Sequence, residues 1–226
     1  MPPQRASVPE LVVLHEDNHV LAVDKPAGLL SQADLTGDLD VLTLARRMIK
    51  LRDAKPGNVY LGLVHRLDRP VAGVMILAKT SKAAARLSRQ LRDRAMRKTY
   101  RAVVEGSPEP GEAELRHRLV RDRDARRTRV ASPDETAREA VLGYRVLASR
   151  GDASLVEVDL VTGLPHQIRA QLAAAGHPVF GDRKYGGARR VADGRVALHA
   201  RSIEFEHPVR RERVIVESRT PAWWPW

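Results

Sequence analysis

How the strand-like runs are joined restricts this chain more than any other feature. In LVVLHEDNHVLAVDKPAG, residues 11–28, two apolar runs meet through a short turn at Asp17-Asn18, and Pro26-Ala27-Gly28 closes the second. A link that short suits antiparallel neighbours, because parallel strands need a crossover of about a dozen residues. Near the other end, ALHARSIEFEHP and ERVIVES form a second hairpin across a charged loop. Between them, VYLGLV, GVMILAKT, KTYRAVVEG and LVEVDLV read as strands, the last alternating with Val156, Val158 and Leu160 on one face.

Helical spacing occurs in three places. DVLTLARRMIKLR places Val41, Leu44, Ala45, Met48 and Leu51 on one side. Residues 81–96 follow a cap at Thr80 or Ser81 and carry a stripe of Ala84, Leu87, Leu91 and Ala95. PHQIRAQLAAAG has Pro165 near its start and Gly176 as its C-terminal stop. Residues 107–139 are polar and rich in Arg, Pro and Asp, and read as a long excursion with little regular structure. Regular strand–helix–strand alternation is missing, which argues against a doubly wound sheet. The expected fold is α+β: a mixed, mainly antiparallel sheet core with flanking helices and long basic loops.

Charge points to the partner. The 226 residues hold 39 Lys and Arg against 28 Asp and Glu, a net charge of +11. Such an excess suits a polyanion, and most of the cations are Arg, which pairs bidentately with phosphate and stacks on bases. A genome rich in Arg codons explains the Arg content better than it explains the net charge. No apolar run nears the roughly 18–20 residues of a membrane span, and MPPQRASVPE lacks the apolar core of a signal peptide. The chain has no cysteine, so no disulfide, thiolate metal site or catalytic thiol forms. A cytoplasmic enzyme fits best.

Several chemistries drop out. Neither nucleotide-binding glycine pattern occurs, nor H-E-x-x-H, nor the G-x-S-x-G elbow. The histidines are scattered rather than clustered, so no metal is expected. Acid–base or nucleophilic work by a carboxylate in a nucleic-acid-facing protein remains. HRLDRPVAG, residues 65–73, is the place for it, with one Asp among two Arg and a His.

Six blocks occur in order: KPAGLL (25–30), HRLDRPVAG (65–73), KTYRAVVEG (98–106), TGLPHQIR (162–169), GHPVFGDRKYG (176–186) and ALHA (197–200). Together they strongly resemble the RluA-type RNA pseudouridine synthases, from about residue 10 to residue 217. The resemblance implies an isomerase that breaks the N1 glycosidic bond of chosen uridines and rejoins the ribose at C5. It implies that Asp68 is the catalytic aspartate, Arg169 its paired cation, and Tyr100 the aromatic that packs on the target base. It further implies that Arg66 helps displace that base, and Leu198, in the last block, is assigned to the substrate pocket. No metal or organic cofactor is implied.

Elementary chemistry agrees. Glycosidic cleavage leaves an electron-poor C1′, which an ionised carboxylate stabilises or bonds, and a neighbouring guanidinium favours the charged form. Two roles stay open for Asp68: attack at C1′, or deprotonation of the sugar. A uracil in folded RNA must first leave its stack, and an aromatic face compensates at about 1–3 kcal/mol per base. His65, His166 and His199 read as structural, and Lys25-Pro26 as a strand-ending turn.

Two departures stand out. Many members of the family carry Thr-Ser where this chain has Val71-Ala72, and often Arg where it has Leu164. Neither touches Asp68 or Arg169. A non-catalytic RNA-binding or ribosome-assembly factor on the same fold is the alternative these departures favour. A two-carboxylate glycoside hydrolase would need a second motif carboxylate, and none stands out.

For RNA contacts the sequence offers Arg116, Arg118, Arg121, Arg126 and Arg127 in RHRLVRDRDARRTR, read as a flexible phosphate-gripping arm. A second basic stretch, GDRKYGGARR, contributes Arg183 and Lys184. The expected organisation is a tail over residues 1–10, one catalytic domain over 11–217 and a tail over 218–226. The N-terminal RNA-binding domain of many relatives is expected to be missing. PAWWPW either packs back on the domain, the slightly preferred reading, or stays exposed for a partner. The expected state is a monomer acting on tRNA or ribosomal RNA, without membrane or metal.

Overall fold

The computed structural model describes residues 10–226, so nearly all of the expected N-terminal tail lies outside the described residues. Eleven strands form one sheet. In chain order they are β1 (Val12–Glu16), β2 (Val20–Lys25), β3 (Gly62–Leu63), β4 (Ala72–Ala78), β5 (Arg97–Glu105), β6 (Glu112–Asp122), β7 (Arg127–Val130), β8 (Arg138–Arg150), β9 (Ala153–Leu160), β10 (Leu198–Glu206) and β11 (Arg213–Glu217). Three α-helices flank them: α1 (Val41–Arg52), α2 (Ser81–Arg92) and α3 (Gln167–Ala174). The strand order is β1-β2-β4-β10-β5-β9-β8-β6-β7, with β11 on β10 and β3 on β4.

The β1–β2 and β10–β11 hairpins form as the short links predict. The pairs between named strands are antiparallel except β10 with β4, at the centre of the sheet. The α+β fold with a mixed, mainly antiparallel sheet is therefore what the chain adopts. β4 is buried at all seven positions, as its unbroken apolar run requires.

The caps are local. Asp40 accepts from Thr43 N (3.0 Å) at the start of α1, and Thr80 from Ala83 N (3.1 Å) at the start of α2. Each such cap contributes about 1 kcal/mol. α2 is shorter than its sequence stripe, because Asp93 caps it and Arg94 turns left-handed at φ 57°. Its core face is Ala83 and Leu87, while Ala95 lies outside the helix and is exposed. α3 starts after Pro165 and ends as expected, with left-handed Gly176 (φ 86°) just past it. Of VYLGLV only Gly62–Leu63 pairs as strand, and Leu61 O instead accepts from Arg46 Nη2 (3.2 Å).

Residues 107–139 differ most from expectation. β6 pairs with β8 from Glu112↔Arg145 to Leu119↔Arg138, and its tip pairs with β7. The reason is a period-two pattern masked by charge. Ala113, Leu115, His117 and Leu119 turn inward while Glu112, Glu114, Arg116 and Arg118 face water. The basic stretch is a folded hairpin rather than a loop.

The last residues pack on the domain. Trp224 and Trp226 lie against the core, Trp224 edge-on to His199 at 6.0 Å. Arg150 covers the Trp226 ring at 4.7 Å, and Arg195 the Trp223 ring at 5.3 Å. No described helix is long and apolar enough to cross a membrane.

Candidate active site

The stretch HRLDRPVAG runs as an irregular segment into β4 and is fixed from several sides. His65 Nε2 accepts from Ile76 N at 3.1 Å. Burial pushes the pKa of His65 down to about 4, with Lys98 adding to the effect, so the ring is neutral and free to accept. Ser31 Oγ donates to Leu67 O (2.7 Å) and accepts from Leu67 N (3.0 Å). Lys25, fully buried, donates to the carbonyls of Pro26 (2.9 Å), Leu29 (2.7 Å) and Arg69 (3.1 Å). Burial lowers its pKa to about 7, Asp68 opposing. Three carbonyls match the three N–H donors of an ammonium. Val71 N closes the turn by donating to Asp68 O at 3.0 Å.

These bonds explain why Val71-Ala72 is tolerated. Both side chains are buried, and the loop is held by Ser31, Lys25 and His65 without hydroxyls at 71 and 72. Gly73 has no substitute here. Its φ is +122°, and a Cβ would fall 2.3 Å from Ala200 O, where β4 and β10 run side by side.

Asp68 reaches a cleft of about 1460 Å³, which Arg66, Tyr100, Arg121, Arg169 and Leu198 also line. Six of the residues expected from sequence therefore converge, although they come from separate segments. Tyr100 on β5 and Leu198 on β10 are buried at its floor, and Arg66 is exposed. Burial raises the pKa of the Tyr100 phenol, with Asp68 adding to the effect, so it stays protonated.

Arg169 is the pivot. It comes from α3, where six consecutive residues, Gln167 to Leu172, are buried. Gln167 and Arg169 are satisfied, whereas Gln171 donates through Nε2 to Leu115 O and Ala140 O and leaves its buried Oε1 without a partner. Gln167 Oε1 accepts from Thr162 Oγ1 (2.8 Å) and Leu164 N (3.0 Å), which gives Leu164 a backbone role. Arg169 Nη1 donates to Asp68 Oδ2 at 2.8 Å. Its other edge binds Asp182 in a fork, Nε to Oδ2 at 2.6 Å and Nη2 to Oδ1 at 2.8 Å. Burial would lower the Arg169 pKa, but Asp182 and Asp68 outweigh it and raise it.

His166 adds a second contact to Asp68. Its left-handed backbone (φ 56°) turns the ring so that Nε2 lies 3.8 Å from Asp68 Oδ2. Nδ1 lies 2.9 Å from Tyr185 OH, which accepts from Thr128 N at 2.8 Å. The Tyr185 proton then points at Nδ1, which leaves the Nε2 proton on the side of Asp68. Burial lowers the His166 pKa to about 4, Asp68 opposing, so the ring is neutral near pH 7. Thr128 Oγ1 also donates to Pro165 O (2.7 Å), which clasps β7 to the start of α3.

The remaining expected contacts divide. Arg116 is engaged by Glu114 and Glu139, and Arg118 by the carbonyls of Pro133 and Glu135. Both are exposed and are engaged by partners within the hairpin. Arg126 and Arg127 are exposed at its tip. Arg183 and Lys184 sit on an exposed 3₁₀ turn, Arg183–Tyr185. Partial desolvation lowers the Lys184 pKa, and Arg169 and Arg121 add to it.

Sequence reasoning missed Asp182, Ser31, Tyr185 and the clamping by Lys25. Asp182 and Tyr185 stood inside GDRKYG, where their basic neighbours drew attention to phosphate instead. Among the described residues, no group of three or more His, Asp or Glu is placed to hold a metal ion.

Comparison with known proteins adds a family. The profile described as RNA pseudouridylate synthase matches residues 19–174. The chain is 36% identical to the RNA pseudouridine synthase YhcT of Bacillus subtilis, over 94% of this chain and 70% of that protein. It is 34% identical to tRNA pseudouridine synthase C of Salmonella typhimurium, over 95% of this chain and 87% of the other. Among solved structures, human RNA pseudouridylate synthase domain containing 4 superposes with a TM-score of 0.79 at 25% identity, over 94% of this chain and 90% of that one.

Proposed function

The chain belongs to the RNA pseudouridylate synthase family, an isomerase acting on uridine in RNA, and we propose that Asp68 is the group through which it acts. The observation that carries this reading is the buried chain Asp182–Arg169–Asp68 opening on the cleft that Tyr100 lines. Arg169 cannot turn away from Asp68 without abandoning Asp182, so the carboxylate is held in one orientation.

In this reading the target uridine leaves its stack and enters the cleft, with its base against the Tyr100 ring and Leu198. Arg66 at the exposed rim fills the gap in the RNA. The C1′–N1 bond breaks with its electron pair going to uracil, and Asp68 meets the electron deficiency at the sugar. Uracil turns within the cleft, C5 bonds to C1′, the proton at C5 departs to water, and N1 takes one up. Asp68 serves equally by attack at C1′ or by removal of a sugar proton, since both place it beside the ribose.

The substrate is tRNA or ribosomal RNA, and tRNA is the class named for the Salmonella typhimurium relative. Arg121, Arg126, Arg127, Arg183 and Lys184 supply phosphate contacts around the cleft. The protein works as a cytoplasmic monomer, and the reaction asks for no metal or organic cofactor.

The test is pseudouridine mapping of total RNA from the source organism lacking this protein. At least one site should lose its pseudouridine and regain it with the wild-type chain but not with Asp68→Asn. Rescue by Asp68→Asn would overturn the role of Asp68. No lost site in any RNA would favour a binding factor on the same fold.

A further inference from the structure

Lys98 is the one cation in this cleft that is buried without being paired. It is 7% exposed, yet among the described residues its ammonium has neither a carboxylate nor a hydrogen-bond acceptor as partner. Arg169 is as deeply buried and holds two carboxylates, and Lys25 holds three carbonyls. The stem is buried while the ammonium opens on the cleft, so its donors are left for a group that enters there. Burial lowers the pKa of Lys98, and no neighbouring carboxylate offsets it.

Its direction is set by the strand. Lys98 and Tyr100 are two apart on β5, so they share a face, and both line the cleft with Asp68 and His65. Gly163 leaves room for the ammonium, since a Cβ there would come within 3.3 Å of Lys98 Nζ. His65 beside it is neutral, and its Nε2 is taken by Ile76 N.

Resting on the pseudouridine synthase reading, we propose that Lys98 binds the uracil itself and stabilises the negative charge the base carries while detached from the ribose. When the C1′–N1 bond breaks, its electron pair spreads over N1, O2 and O4 of the base. Bonding from C5 to C1′ returns that pair to the sugar; C5 then gives its proton to water and N1 takes one from water, so the isomer balances. A cation held in place before the reaction is suited to such transient charge. A phosphate is a poorer occupant, because it belongs at the rim with exposed Arg66, Arg92, Arg94 and Arg121 rather than beside a buried tyrosine.

Single-turnover conversion by wild type, Lys98→Met and Lys98→Arg tests this on an RNA the wild type modifies, carrying either uridine or 5-fluorouridine at the target. RNA affinity is measured at two salt concentrations alongside. Lys98→Met should slow the uridine reaction by about 10²-fold, the size of losing one charge-stabilising donor. Its affinity and salt slope should stay as in wild type, and Lys98→Arg should recover part of the rate. With 5-fluorouridine, where fluorine cannot leave as the C5 proton does, formation of the C5–C1′ bond is followed instead, and there the defect should shrink because fluorine already stabilises the departing base. Lys98→Met should fold as stably as wild type, since the buried stem is replaced by an apolar one of similar length and no ion pair is lost. An unchanged rate would overturn the proposal, and so would an equal defect on both bases. A salt slope reduced by about one would also overturn it, marking a phosphate contact instead. If the wild type itself converts no RNA, the pseudouridine synthase reading fails, which is a different result from any of these.

Discussion

Arg169 and Arg121 bring the same guanidinium to the same cleft under opposite conditions. Arg169 is buried and held on both edges by Asp182 and Asp68. Arg121 is exposed on β6, and among the described residues its side chain has no hydrogen-bond or carboxylate partner. The first shapes a carboxylate, and its cost of burial is offset by charge inside the protein. The second leaves its valence for something that arrives. The hairpin repeats the contrast along its own length, since Arg116 and Arg118 are spent on its structure while Arg121, Arg126 and Arg127 are not. Counting arginines therefore overstates the cations left free for a new partner.

The largest effect should come from breaking the paired side. Asp182→Asn removes one carboxylate from a buried pair, which costs about 3–5 kcal/mol in such settings. Denaturant unfolding should show that loss, and Arg169 freed from its fork should lower turnover by about 10²-fold. Retained stability and turnover would mean that Asp182 does not hold Arg169 in place.

On the unpaired side the effect should be smaller and of another kind. Arg121→Gln, Arg126→Gln and Arg127→Gln should each weaken RNA binding and reduce the salt slope by about one. Arg116→Gln and Arg118→Gln should leave that slope unchanged. Filter binding across a salt series separates the two sets, and equal slopes for all five would erase the distinction.

The smallest effect concerns the neutral histidines. His65, His166 and His199 have pKa values pushed down by burial to about 4 in the folded state, against 6.5 when unfolded. Between those values the unfolded chain binds protons that the folded chain refuses, so stability falls as pH drops from about 6.5 to 4. Urea midpoints across that range should decline, and His65→Gln should flatten part of the decline. A midpoint that holds steady would contradict the neutral, accepting role of His65.

Much of this was legible in the sequence, and the gaps have physical causes. The short links at Asp17-Asn18 and between β10 and β11 dictated antiparallel pairing. Asp68, Tyr100 and Arg169 were visible because each sits in a local block. Asp182 was not, because its meaning depends on a fork to Arg169, thirteen residues away and across a turn. The β6–β7 hairpin was hidden because its inward residues include Ala113 and His117, too small or too polar to mark alternation beside so many arginines. Lys98 stood inside KTYRA in plain view, but its lack of a partner is a property of the fold alone.

Release of tritium from RNA carrying C5-tritiated uridine measures the central claim directly, since exchange at C5 accompanies the new bond. With total RNA from the source organism, the wild-type chain should release tritium and Asp68→Asn should release none above background. Equal release by both proteins would contradict the account of Asp68, and no release by the wild type would contradict the account of the cleft.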